Sequence, residues 1–83
     1  MKIELKLFAS LGQYLPPGAR QNTVDLDVPE GTTIAAVLTG IGVPRELVKL
    51  VFIDGVHQFP HDLDRRTLAS GETLAVWPPV AGG

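Results

Sequence analysis

The stretch "PEGTTIAAVLTGIGVP" sets the tightest limit on the fold, because its apolar residues recur with helical spacing. Ile34, Val37, Leu38 and Ile41 fall at i, i+3, i+4 and i+7, a single stripe on one helix face. Thr32 or Thr33 supplies a side chain to cap the start, Gly42 can end the helix, and Pro44 forbids its continuation. One such helix has one apolar face to bury. The rest of the chain must provide the surface that covers it.

That surface is a sheet. "KIELKLF" alternates, with Ile3, Leu5 and Leu7 on one side and Lys2, Glu4, Lys6 and Phe8 on the other. "ASLGQYL" then suits a helical turn, which "PPGA" breaks. "NTVDLDV" alternates again, setting Val24, Leu26 and Val28 against Thr23, Asp25 and Asp27. Its outward acids suit the outward lysines of the first strand if the two pair. "KLVFIDGV" reads as a buried strand run ended by Asp54-Gly55, a type I′ hairpin signal, with "VHQF" as the short partner strand. "PHDLDRRTLASGE" reads as loop with one turn at residues 67–69, and "TLAVW" is the last strand, with Leu74 and Val76 inward.

The expected fold is therefore α+β, a roll in which one helix crosses one face of a mixed sheet. The first and last strands are expected to lie parallel in its middle. The core expected is Ile3, Leu5, Leu7, Val24, Leu26, Val28, Ile34, Val37, Leu38, Ile41, Leu74 and Val76.

At 83 residues the chain has room for one core, and 45% hydrophobic against 19% charged residues suits a compact domain. The net charge is −2 and the seven basic residues form no stripe, which argues against nucleic-acid binding. Cysteine is absent, so thiolate zinc sites, catalytic thiols and disulfides are excluded. No apolar run reaches membrane-spanning length and the start is not a signal peptide, so a cytoplasmic protein away from membranes is expected.

The body of the chain offers little chemistry. His57 and His61 lie four apart, but Asp54-Gly55 and Pro60 keep that segment from being helical, so no metal pair is expected. Asp25, Asp27, Asp54, Asp62 and Asp64 are scattered, and "GTTIAAVLTGIG" lacks both a phosphate-loop lysine and dinucleotide spacing. An enzyme acting alone is not expected, nor is a bound cofactor.

The end, "WPPVAGG", differs in kind. Pro78 and Pro79 stop the sheet and stiffen an extended exit, dividing an expected domain of residues 1–79 from a tail of residues 80–83. Two glycines are poor packing material, since glycine is the costliest residue to order. Beyond Val80 and Ala81, Gly82 and Gly83 carry no side chain, so the tail fits a channel too narrow for other residues. A carboxylate there is a poor electrophile, and acyl chemistry on it needs activation, for example by transfer to a nucleotide phosphate. Gly83 then reads as a substrate for another protein.

A second feature lies beside that exit. Phe8 shares parity with Lys2, Glu4 and Lys6, and Trp77 with Thr73 and Ala75, away from the helix. Parallel first and last strands bring the two rings together on the open face. There they either form a docking patch or are covered by Tyr14 or by the loop after Phe59.

The order β-β-α-β-β-β with "LFASLGQYL", "VPEGTTI", the Asp54-Gly55 hairpin and "SGETLAVWPPVAGG" resembles the ubiquitin-like β-grasp sulfur carriers over the whole chain. "PPVAGG" and the length are most similar to the small subunits of molybdopterin synthase, with Trp77 standing where phenylalanine is commoner. The resemblance implies that an adenylyltransferase of the ubiquitin-activating kind uses ATP to form an acyl-adenylate on Gly83. A sulfur donor system then makes the thiocarboxylate, and the larger molybdopterin synthase subunit receives the tail. Phe8, Trp77, Pro78 and Pro79 are the implied partner contacts; no role carries over to Arg65 or Arg66. Within the family, delivery to thiamine, to another thiolated product or to a tungsten cofactor is the rival, as is ligation to proteins as a modifier. Outside it, the alternative is a β-grasp interaction module whose glycines are incidental.

Overall fold

The computed structural model describes residues 1–79. The tail of Val80, Ala81, Gly82 and Gly83, where a poorly ordered end is expected, lies outside the described residues.

The strands are β1 (Lys2–Leu7), β2 (Thr23–Asp27), β3 (Leu50–Ile53), β4 (Val56–Gln58) and β5 (Thr73–Trp77), with one helix, α1 (Ile34–Gly40), between β2 and β3. They form one sheet in the order β2-β1-β5-β3-β4. β1 and β5 are parallel neighbours at its centre, with Leu5 beside Leu74 and Leu7 beside Val76; the other pairings are antiparallel. This register sets the inward residues of both strands on one face of the sheet. The α+β expectation holds in element order, strand direction and helix placement.

Local signals act as their chemistry dictates. The Thr33 hydroxyl caps α1 by accepting from the Ala36 amide at 3.1 Å. Past its end, Gly42 takes the left-handed conformation that a Cβ would strain, at φ +88°. In the β3–β4 turn Asp54 and Gly55 both have positive φ, 48° and 82°, as a type I′ turn demands.

The core is larger than expected and shifted away from β2. Ile3, Leu5, Leu7, Ile34, Val37, Leu38, Leu74 and Val76 are buried, and so are Leu11, Val43, Val51, Ile53, Leu63 and Leu68. Val24, Leu26, Val28 and Ile41 only pack against the core's margin. β2 is an outer strand, and a helix of seven residues does not reach over it.

The long segment before β5 departs most from its reading as a loop. Its helical turn is at Pro60–Asp62, not at residues 67–69; Thr67 instead bridges to Thr33. Leu63 and Leu68 are buried, and the carbonyls of Leu63 and Arg66 accept the amides of Ala35 and Ile34. The first N–H groups of a helix have no partner within it, and here the loop supplies them. Arg66 also forks onto Glu72, with N–O distances of 3.0 and 2.7 Å, and donates to the Thr67 carbonyl. The hydrogen-bonded Arg66 guanidinium holds the Glu72 carboxyl below its ordinary range, helped by the Ala69 amide, while burial opposes it. The segment is part of the structure that holds α1.

β2 pairs with β1 as expected, but not through a ladder of Lys–Asp contacts. Lys2 stands opposite Asp27, yet Asp25 stands opposite Glu4. The Asp27 carboxylate is 3.5 Å from the amino group of Met1, and Glu4 accepts from the Thr73 hydroxyl at 3.1 Å.

Candidate functional site

The register of β1 and β5 builds the candidate site. The parallel ladder continues one residue past Leu7, with the Phe8 amide donating to the Val76 carbonyl at 3.1 Å. Phe8 and Trp77 therefore emerge side by side on the face opposite α1, and their rings stack with centroids 4.2 Å apart and planes 7° apart. The Trp77 carbonyl accepts the Lys49 amide at 3.0 Å, which fixes the last residue of β5 before Pro78 and Pro79 lead away. Pro78 is half-buried and Pro79 exposed.

The rings are not hidden by the segments that might have covered them. Tyr14 packs against the main core, and Phe8 and Trp77 are half-buried. Beside them an open hollow of about 430 Å³ is lined by Lys6, Phe52, Thr73 and Ala75 as well as the two rings. A face that carries aromatic rings and a hollow is suited to receive a partner's side chain.

The patch is wider than the sequence reading had it. Phe52, read there within a buried run, lies on the open face and meets Trp77 edge-on at 5.4 Å. His57 packs on Phe52 at 5.5 Å, Phe59 on His57 at 4.7 Å, and His61 stacks on Phe59 at 6.1 Å. The five contacts make one continuous aromatic row from Phe8 to His61, and Phe59 is 55% exposed. The signal was in the sequence: Phe52 alternates with Val51 and Ile53, so whichever face takes those two, Phe52 takes the other. Both histidines pack against Phe59, His57 edge-on and His61 stacked. Among the described residues no group of three or more histidine, aspartate or glutamate side chains is placed to hold a metal ion. No helix among them is long and apolar enough to cross a membrane.

Of the residues singled out from sequence, the structure brings together Phe8 and Trp77 and places Pro78 and Pro79 directly after them. Val80, Ala81, Gly82 and Gly83, including the proposed acyl site, lie outside the described residues.

With this geometry the chain can be compared with known proteins. The profile of a family described as Mut7-C ubiquitin matches residues 1–82. The structure of SAMP1 from Haloferax volcanii is 26% identical, each chain covering 100% of the other, with a TM-score of 0.67. The solution structure of the Haloferax volcanii HVO 2177 protein is also 26% identical, with a TM-score of 0.76 over 100% of this chain and 87% of that one. A putative molybdopterin converting factor, subunit 1, from Pyrococcus furiosus is 20% identical over 95% of this chain and 98% of that one, with a TM-score of 0.67, and shows the shared fold. No curated protein sequence matches. The chain belongs to the Mut7-C ubiquitin family and has the ubiquitin-like β-grasp fold.

Proposed function

We propose that the chain is a sulfur carrier, with the carboxylate of Gly83 as the sulfur-bearing group and the Phe8–Trp77 stack as the surface its partners hold. The observation that carries this reading is where the stack sits: on the last residue of β5, immediately before Pro78-Pro79 and the side-chain-free end. A partner gripping the two rings stands where the tail departs. The ubiquitin-like family and the shared fold with a molybdopterin converting factor subunit support the reading.

The chemistry proceeds on partner enzymes, with the chain as substrate and then as a non-catalytic subunit. In an adenylyltransferase of the ubiquitin-activating kind, a carboxylate oxygen of Gly83 attacks the α-phosphorus of ATP, and pyrophosphate leaves. A sulfur nucleophile at the sulfide level from the donor system attacks the acyl carbon, and AMP departs with the original oxygen. The thiocarboxylate sulfur is the stronger nucleophile, and in the larger molybdopterin synthase subunit it attacks an electrophilic carbon of a pterin precursor, from which an oxygen leaving group departs with the electron pair of the broken carbon–oxygen bond. Water then attacks the acyl carbon, the bond from carbon to sulfur breaks, and the carboxylate returns. The glycines let the end enter both active sites, where acyl transfer depends on close positioning.

A second reading has one observation in its favour, the ubiquitin description of the family. Attack on the same adenylate by a neutral lysine amine, with AMP leaving and the nitrogen losing a proton, gives an isopeptide bond instead of a thiocarboxylate. Incubation with ATP, an activating enzyme and a sulfide source separates the two. The carrier reading expects the intact mass to rise by one oxygen-to-sulfur exchange at Gly83, and deletion of Gly83 to abolish the gain. Adduction to protein lysines without that gain supports the modifier. Activation of the Gly83 deletion as fast as the full chain rejects both and leaves an interaction module.

A further inference from the structure

We propose that the outer edge of β2, with the groove between β2 and α1, is a strand-addition site for an extended partner segment in which Lys or Arg alternates with β-branched aliphatic residues. This surface is separate from the Phe8–Trp77 stack, and the inference is independent of what happens at Gly83.

The hydrogen-bond pattern leaves that edge available. Met1 and Val28 exchange both backbone bonds, each 2.8 Å, and the Leu7 amide donates to the Asn22 carbonyl. In an antiparallel ladder such pairs recur every second residue, so Leu26 and Val24 also turn their backbone groups toward β1. The N–H and C=O groups of Thr23, Asp25 and Asp27 therefore point away from the sheet. Arg20 takes those of Thr23, at 2.8 and 2.9 Å. Among the described residues, those of Asp25 and Asp27 face outward on the unpaired side of an outer strand, which is a template for another strand.

The side chains specify what that strand carries. On the helix side a largely apolar groove of about 380 Å³ runs between β2 and α1, with Leu26, Val28, Ala36, Val37 and Ile41 among its lining and Asp27 beside them. In an added strand, the residues in register with Leu26 and Val28 point into this groove, and β-branched side chains suit such a half-buried, pleated surface. The residues between them point to the open face beside the exposed carboxylates of Asp25 and Asp27. Asp25 already has Glu4 across from it on β1, a like charge, so a cation on its other side is favourable. A second copy of this chain pairing through its own β2 would bring carboxylates against carboxylates, which selects a basic partner over self-association.

The test is a titration of the full chain, labelled with 15N, with the blocked hexapeptide Lys-Val-Lys-Ile-Lys-Val. Hydrogen exchange at the Asp25 and Asp27 amides is expected to slow at least about tenfold on saturation. A peptide with glutamate for each lysine is expected to bind at least about tenfold more weakly, as is Asp25→Lys protein with the original peptide. N-methylation is expected to abolish binding at the residues whose N–H faces β2 and to be tolerated at the alternate ones. Unchanged exchange at Asp25 and Asp27, shifts centred on Trp77, equal binding of the glutamate peptide, or indifference to the position of N-methylation would each overturn the proposal. The Asp25→Lys protein is checked by its own spectrum, and the peptide substitutions, which leave the protein untouched, decide the matter should it fail to fold.

Discussion

The two faces of the sheet are made by alternate residues of the same strands, yet they are used differently. Toward α1, β1 and β5 present Ile3, Leu5, Leu7, Leu74 and Val76, each at most 1% exposed. Away from it they present Lys6, Phe8, Thr73, Ala75 and Trp77, with Phe52 from β3 beside them. One face is aliphatic and sealed. The other is aromatic, flanked by charge, and open. Burial of the first face stabilises the fold, while the second leaves apolar area open to solvent. Strand alternation is what lets the same strands carry both faces.

The largest stability effect is expected on the sealed face. Leu38, from α1, is 3% exposed, and Leu38→Ala is expected to cost about 2–5 kcal/mol in denaturant unfolding. A cost under 1 kcal/mol would mean that α1 does not close the core as described. Trp77→Ala, on the open face, is expected to cost less, about 1–2 kcal/mol, because it removes the Phe8 stack without opening a core cavity. A loss equal to that of Leu38→Ala would erase the distinction between the faces.

Smaller effects test the frame that holds the faces apart. Gly55→Ala meets no steric obstacle, but its φ of 82° is strained for alanine, so a loss of about 1 kcal/mol is expected in thermal unfolding. Glu72→Gln removes the fork to Arg66 on a partly exposed pair, and at most about 1 kcal/mol is expected. Its sign with pH is fixed. Glu72 is held below the ordinary glutamate range by Arg66, so its contribution is present above the unfolded value and is lost as the pH falls through the lowered folded one. Acid titration of stability is therefore expected to be flatter in Glu72→Gln. Deleting Gly83 is expected to leave the melting temperature unchanged while ending activation.

The sheet was legible because its signals are local. Parity at Ile3, Leu5 and Leu7, the Asp54-Gly55 pair and the stripe from Ile34 to Ile41 each act within a few residues. The stack of Phe8 on Trp77 followed from parity and a parallel pairing. Leu63 and Leu68 were missed because an irregular segment has no period, and their burial depends on where α1 begins. Phe52 was misplaced by treating an apolar run as uniformly buried, although its neighbours' parity was decisive. Ile41 and β2 were credited with more burial than they have, since the sequence does not show how far a seven-residue helix extends across a five-stranded sheet.

The central claim is that the open face delivers the tail to partners while the sealed face only holds the fold. ATP–pyrophosphate exchange by the activating enzyme, measured against the concentration of Trp77→Ala, tests it most directly. The half-saturating concentration is expected to rise about thirtyfold, the equivalent of about 2 kcal/mol at a hot spot, with the maximal rate unchanged because Gly83 is intact. Half-saturation at the wild-type concentration would contradict the claim.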